Sequence, residues 1–207
     1  MPTNAARVLL RIRTARDAEA RMDADCRAFC DAAPLRLERV ACASASAMAY
    51  VYLQPMQEVA TGDLPALAEA FAQRCDWAGE VLASRLEPVF DVAGASVAEP
   101  AAFHYVVEMD PEAGWMPELT RWYDTEHMPG LAAVPGCVRA RRFLNQGHGP
   151  LSLACYDLVS EETLGSPAWL AVRATAWSDI ARPHFMNTRR TIFRVPPHAA
   201  RTDSRTT

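Results

Sequence analysis

Lysine is absent from this chain: all 21 basic side chains among its 207 residues are arginine. With no side-chain primary amine, catalysis through a lysine Schiff base is excluded, and so is phosphate binding through a lysine. The motifs that announce several other chemistries are missing as well. There is no Gly-x-Gly-x-x-Gly, no phosphate loop, no Gly-x-Ser-x-Gly elbow and no His-Glu-x-x-His, which leaves nucleotide-dependent chemistry and serine hydrolysis without support. No apolar run approaches the roughly 20 residues that span a bilayer, and Met1 to Arg7 lacks the apolar centre of a secretion signal. A cytoplasmic protein with no membrane partner is expected. The formal charge of −4 gives no basic footprint, so no nucleic-acid partner is expected either.

The six cysteines, Cys26, Cys30, Cys42, Cys75, Cys137 and Cys155, form no Cys-x-x-Cys pair and no zinc-like spacing. They read as small buried hydrophobes in a reducing compartment, and no metal is expected. Half of the chain is hydrophobic, enough for a substantial core. Its wealth of alanine, arginine and proline suggests a GC-rich bacterial genome.

Period-two alternation and helical punctuation give an element order. A strand over Val8 to Arg13 precedes a charged, alanine-rich helix over 15–32, then a strand pair over 35–42 and 48–53. A helix over 63–83, with Pro65 in its first turn, and a strand over 88–92 follow. The small residues of 93–102 have the composition of a linker. Beyond them the order repeats: strand 103–109, helix 117–128, strand 138–144, turn 145–150, strand 152–158, helix 167–180 and strand 191–195. Two β-α-β-β-α-β units result, over 1–95 and 102–196, at a period of roughly 100 residues. The tail, 197–207, has no large apolar anchor and is expected to be disordered.

Chemistry concentrates in Trp122-Tyr-Asp-Thr-Glu-His-Met-Pro-Gly-Leu-Ala-Ala-Val-Pro-Gly136. A helix carrying Tyr123, Asp124, Glu126 and His127 into its last turn should stop ahead of Pro129. Trp122, Tyr123, Glu126, His127, Pro129, Val134, Pro135 and Gly136 resemble the helix-to-strand segment of the dimeric α+β barrel superfamily, in particular its EthD-like branch. The resemblance implies ferredoxin-like units and a pocket between sheet and helices for cofactor-free chemistry or small-molecule binding. The expected fold is therefore α+β: two tandem ferredoxin-like βαββαβ repeats packed sheet to sheet as an intrachain α+β barrel, with a homodimer still open. Aligning the repeats sets Asp23 against Asp124, Asp25 against Glu126, Cys26 against His127 and Trp77 against Trp177. The first repeat lacks the histidine, so the second pocket is expected to work.

His127 is the leading acid or base, because imidazole titrates near neutrality. The bland reading makes it a helix-end cation meeting the negative end of the dipole. Asp124 or Glu126 would orient it, while Tyr123, His104 or an arginine would stabilise developing negative charge. On strand 103–109, His104 and Glu108 share a face and form either a hydrogen-bonded structural pair or part of a pocket. Arg139 and Arg141 share a face and Arg142 takes the other; the run binds an anionic substrate or is a solvated strand face. Trp122, Arg141, Glu108 and Trp177 complete the expected substrate-binding set. Trp169 and Phe185 read as core, His184 and His148 as loop residues, and His198 as part of the tail.

Three functions follow as expectations. The first is a cofactor-independent enzyme acting by proton transfer on a small hydrophobic metabolite, aromatic, polyketide-like or lactone-like, as an isomerase, cyclase, lyase or cofactor-free monooxygenase. The second is a non-catalytic small-molecule-binding or accessory protein. The third is a haem protein with His184 or His104 as axial ligand.

Overall fold

Strands whose two faces are both buried organise this protein. The computed structural model describes residues 5–15 and 18–196. In β1 (Arg7–Thr14), Val8, Leu10 and Ile12 pack beneath helices, while Leu9 and the buried Arg11 alternate with them and face the opposite way. The remaining elements run α1 (Glu19–Asp31), β2 (Leu35–Ala43), β3 (Met48–Pro55), α2 (Leu64–Arg74) and β4 (Ala78–Ala93), then β5 (Phe103–Pro111), α3 (Met116–Trp122), α4 (Met128–Ala132), β6 (Cys137–Gln146), β7 (Ser152–Leu158), α5 (Pro167–Arg173), α6 (Ala176–Ala181) and β8 (Phe185–Arg194). This is the expected pair of βαββαβ repeats.

All eight strands close into one antiparallel barrel in the order β1-β3-β2-β8-β5-β7-β6-β4. Each repeat contributes four neighbouring strands, so the α+β barrel is completed inside one chain. The two seams between repeats differ. β4 runs beside β6 from Arg85 opposite Gln146 to Ala93 opposite Arg139, whereas β2 meets β8 at Cys42 opposite Arg194.

Two helix-facing cores lie outside the barrel. One gathers Met22, Cys26, Phe29, Phe71 and Trp77 under α1 and α2; the other gathers Leu119, Trp122, Tyr123, Tyr156 and Trp169 under α3 to α6. A third core fills the barrel with Leu9, Tyr50, Tyr52, Phe143, Leu153 and Phe193. The six cysteines are buried and free, as read from their spacing.

Several boundaries differ from the sequence reading. The helix expected over 63–83 ends at Arg74, and Ala78 to Ala83 instead open the 16-residue strand β4. The reason is tertiary: this stretch pairs with β1, with Ala83 opposite Leu10, before the strand continues on to β6. The expected helix over 167–180 divides at Ala174 and Thr175, where the Thr175 side chain caps α6 by accepting from the Ser178 amide. The linker is pinned to the second repeat by amide bonds from Gly94 to Val138, Ala95 to Ala132 and Ser96 to Cys137. Gly94 is required there, since a Cβ would fall 2.1 Å from the Cys137 carbonyl oxygen.

Among the described residues no helix is long and apolar enough to cross a membrane. The tail over 197–207, with His198, and the helix start at Arg16 and Asp17 lie outside the described residues.

Candidate active site

The helix that carries the motif does not stop at Pro129. Between α3 and α4 it widens into a π-helical turn over Tyr123–His127, where the Met128 amide reaches back to the Tyr123 carbonyl, and then continues to Ala132. Proline supplies no amide and its ring collides with the carbonyl one turn earlier. A wider turn just ahead of it accommodates both defects without ending the helix. Such turns concentrate at functional positions. With the helix running on, His127 does not sit at a negative dipole end, and the helix-end reading of this histidine is corrected.

The π turn sets His127 against the outer face of the second repeat's sheet. Its ring stacks on Trp122, with centroids 4.1 Å apart and planes 23° apart. It lines a small cavity of about 30 Å³ with Trp122, Tyr123, Tyr156, Trp169 and Phe185, and with three arginines, Arg173, Arg182 and Arg190. Both His127 Nδ1 and Trp122 Nε1 are buried and have no hydrogen-bond partner. Burial, then the charges of Arg182 and Arg173, pushes the imidazole down to about 3, so His127 is neutral.

The two carboxylates beside it are engaged elsewhere. Asp124 accepts from Arg142 at 3.0 Å, and Glu126 accepts from the Thr175 hydroxyl at 2.7 Å. Neither orients His127, which corrects that expectation: the π turn rotates them away from the imidazole. Tyr123 does share the cavity, and the Arg142 guanidinium lies 5.3 Å from its ring centroid. Trp177 does not line the cavity; its indole donates to Glu118 at 2.8 Å.

His104, Glu108 and Arg141 belong to a different compartment. Alternation along β5 sends Tyr105 and Val107 to the His127 cavity and turns His104, Val106 and Glu108 into the barrel. His104 Nδ1 meets Asp157 at 2.7 Å and Nε2 meets the Tyr52 hydroxyl at 3.0 Å. An ionised carboxylate only accepts, so Nδ1 carries the proton and Tyr52 donates to Nε2. Burial dominates and pushes His104 down to about 4. Burial also opposes the Asp157 charge, but Arg39, the His104 hydrogen bond and Arg141 prevail and hold its carboxyl well below the usual range. Arg39 grips Asp157 with two bonds at 2.5 and 2.6 Å, and Arg141 bridges it to Glu38. Further along, Glu108 accepts from Arg11 and, at 2.9 Å, from Tyr50. Of the two readings weighed for His104 and Glu108, the geometry gives the hydrogen-bonded structural one, in an ionic network separate from the His127 cavity in which Arg11 Nε alone lacks a partner among the network's buried side-chain atoms.

Of the two ligands named for haem, His104 is closed to it, while His184 keeps Nε2 without a hydrogen bond among the described residues. His104 has both nitrogens engaged, and His184 lies stacked on Trp115 at 3.3 Å with Nδ1 bonded to Glu112 at 2.5 Å.

Sequence reasoning missed Arg173, Arg182 and Arg190, which arrive from three separate segments. Tyr105 was within reach of the alternation rule. The first repeat's counterpart is closed by apolar packing, with Cys26 fully buried among Phe29, Phe71 and Trp77. Two larger hollows, of about 340 Å³ beside α2 and β4 and about 300 Å³ beside Pro55 and Val59, contain none of the buried unpartnered polar atoms that mark the His127 cavity.

No family model matches the chain, and no curated protein matches it. Solved structures do. An anthrone oxidase-like protein superposes with a TM-score of 0.63 at 14% identity, covering 94% of this chain and 92% of the other. A chlorite dismutase from Candidatus Nitrospira defluvii gives 0.62 at 10% identity, covering 93% and 92%. An uncharacterized ferredoxin-fold protein from Listeria monocytogenes, related to antibiotic biosynthesis monooxygenases, gives 0.51 at 8% identity, covering 93% and 95%. At these identities the likeness is one of fold: this chain has the α+β barrel of ferredoxin-like repeats.

Proposed function

We propose that this protein is an enzyme that acts on a small hydrophobic molecule by proton transfer at His127, in the cavity between the second repeat's sheet and its helices. The observation that carries the reading is a nine-tenths buried imidazole whose Nδ1 has no partner within the protein and which lines an aromatic cavity. Buried polar groups are nearly always satisfied, and one left open in a cavity is met by water or by a ligand that displaces it.

In the neutral form His127 accepts a proton from an activated C–H or O–H of the bound molecule. The imidazolium and the substrate anion then form an ion pair in a site of low polarity, where such attraction is strong. Arg182 and Arg173, whose charges add to burial in keeping the free imidazole neutral, stabilise the same anion as it develops. The indole N–H of Trp122 is available as a further donor. Return of the proton at another position gives isomerisation; attack of the carbanion on a carbonyl carbon of the same molecule, whose oxygen then takes the proton, gives cyclisation; loss of a leaving group gives elimination, and capture of the carbanion by dioxygen gives cofactor-free oxygenation. Superposition on proteins described as anthrone oxidase-like or related to monooxygenases supports the oxygenation among these outcomes.

A second reading rests on the weak basicity of the free imidazole: a histidine that never ionises is a hydrogen-bonding group in a binding protein. The test is incubation of the protein with a small-molecule extract in D2O, followed by mass spectrometry. An enzyme consumes one metabolite and places deuterium or oxygen in its product, and His127→Gln abolishes this while folding normally. A metabolite retained by both proteins and altered by neither would decide for binding alone.

A further inference from the structure

Three guanidinium groups converge on the His127 cavity from unconnected parts of the second repeat. Arg173 ends α5, Arg182 follows α6, and Arg190 projects from β8. No carboxylate lines the cavity with them. The acidic side chains nearby are committed elsewhere: Asp124 to Arg142, Glu126 to Thr175, and Glu118 to Arg121 and Trp177. Arg182 alone has an acidic partner, Asp179 at 3.2 Å. Arg190 faces Tyr105, and Arg173 makes no ion pair or side-chain hydrogen bond among the described residues.

This accumulation runs against the composition. The chain carries a net charge of −4, and the arginines inside the barrel and along its seam are matched by carboxylates, as in Arg39 with Asp157, Arg139 with Asp91 and Arg11 with Glu108. Like charges gathered around a low-polarity cavity repel one another unless an anion joins them. The lower wall is aromatic, built from Trp122, Tyr123, Trp169 and Phe185, and it presents the two unpartnered polar atoms His127 Nδ1 and Trp122 Nε1. Apolar floor, open hydrogen-bonding atoms and a cationic mouth define a ligand with a flat body and one negative end.

We propose that this cavity takes a small aromatic or unsaturated carboxylic acid, its body against Trp122 and Phe185 and its carboxylate held by Arg173, Arg182 and Arg190. The inference rests on the His127 cavity being the ligand site and adds the charge of what enters it. Guanidinium suits the role because its planar fork meets a carboxylate through two parallel bonds. The free cavity, at about 30 Å³, is smaller than such a ligand. The arginines at its mouth are its movable part: Arg190 is exposed and Arg173 and Arg182 are half-buried. Burial is the main cause of the depressed basicity of His127, and a bound carboxylate offsets the smaller contribution of Arg182 and Arg173, so the proton acceptor is more basic with the ligand present than without it.

The test uses benzoate and benzamide, which share a shape and differ by one charge, titrated into the full-length protein by calorimetry at low salt. Benzoate is expected to bind at least about tenfold more tightly, with the advantage shrinking as salt rises. Arg173→Gln combined with Arg190→Gln should reduce benzoate to the level of benzamide and leave benzamide unchanged; circular dichroism and melting confirm the fold. Equal affinities for the two probes, no benzoate binding, or a preference that survives the double variant would each overturn the proposal. Inorganic phosphate binding as tightly as benzoate would also overturn it, since the aromatic floor would then contribute nothing. His127→Gln separates this from the catalytic reading. If benzoate preference persists there while no turnover is found for either protein, the charge assignment stands and the chemistry falls. If turnover depends on His127 but the two probes bind equally, the chemistry stands and the charge assignment falls.

Discussion

His127 lies nearly flat on Trp122, 4.1 Å between ring centroids, and the two rings carry buried nitrogens that nothing in the protein satisfies. Neither atom has a structural reason to remain open. The π turn that brings the rings together places a stability cost where a ligand can offset it.

That cost is measurable. An unsatisfied buried polar atom costs about 1–3 kcal/mol, and an apolar side chain of similar size avoids it. Part of the gain is lost with the ring stacking, worth about 0.5–1.5 kcal/mol. His127→Leu is therefore expected to raise unfolding stability in urea by about 1 kcal/mol while abolishing ligand binding or turnover. A loss of several kcal/mol would mean that His127 is structural.

The acid side of the stability curve should steepen because of two histidines. Burial is the main cause in both: His127 is held down to about 3 and His104 to about 4. In the unfolded chain both titrate near about 6.5. Between pH 6.5 and 5 the unfolded state therefore binds more protons, and stability falls as pH falls, by up to about 1.4 kcal/mol per pH unit for each histidine. Urea titrations at pH 7, 6 and 5 should show this slope, and His127→Gln should remove about half of it. A curve flat over that range would contradict the assignment.

Inside the barrel, Asp157 holds Arg39 through two bonds, faces Arg141 at 3.6 Å and accepts from His104. Asp157→Ala leaves buried positive charge and an unpaired imidazole. The expected loss is about 3–5 kcal/mol, read as a lower urea midpoint. A loss below about 1 kcal/mol would show that solvent reaches this network.

The order of elements and the doubled repeat were legible because alternation and turn residues are local signals. His104 and Glu108 were correctly placed on one face of β5, but the sequence does not say which face looks into the barrel and which toward the helices. The two histidines were therefore joined in one site although a sheet separates them. The first third of β4 has helical sequence character, and only its long-range pairing with β1 and then β6 makes it a strand. Pro129 was read as a stop because a wide turn ahead of a proline leaves no local signature. Arg173, Arg182 and Arg190 meet only through tertiary packing, so no spacing pattern reveals them.

The central claim is that His127 stays uncharged in the free protein and acquires a proton only beside a ligand's negative charge. Nitrogen-15 chemical shifts of the labelled imidazole, followed from pH 7 to 4.5 with and without saturating benzoate, test it directly. The free protein should show a neutral ring throughout, and the complex should begin to protonate within that range. A free-state midpoint near about 6.5, the same with benzoate as without it, would contradict the claim.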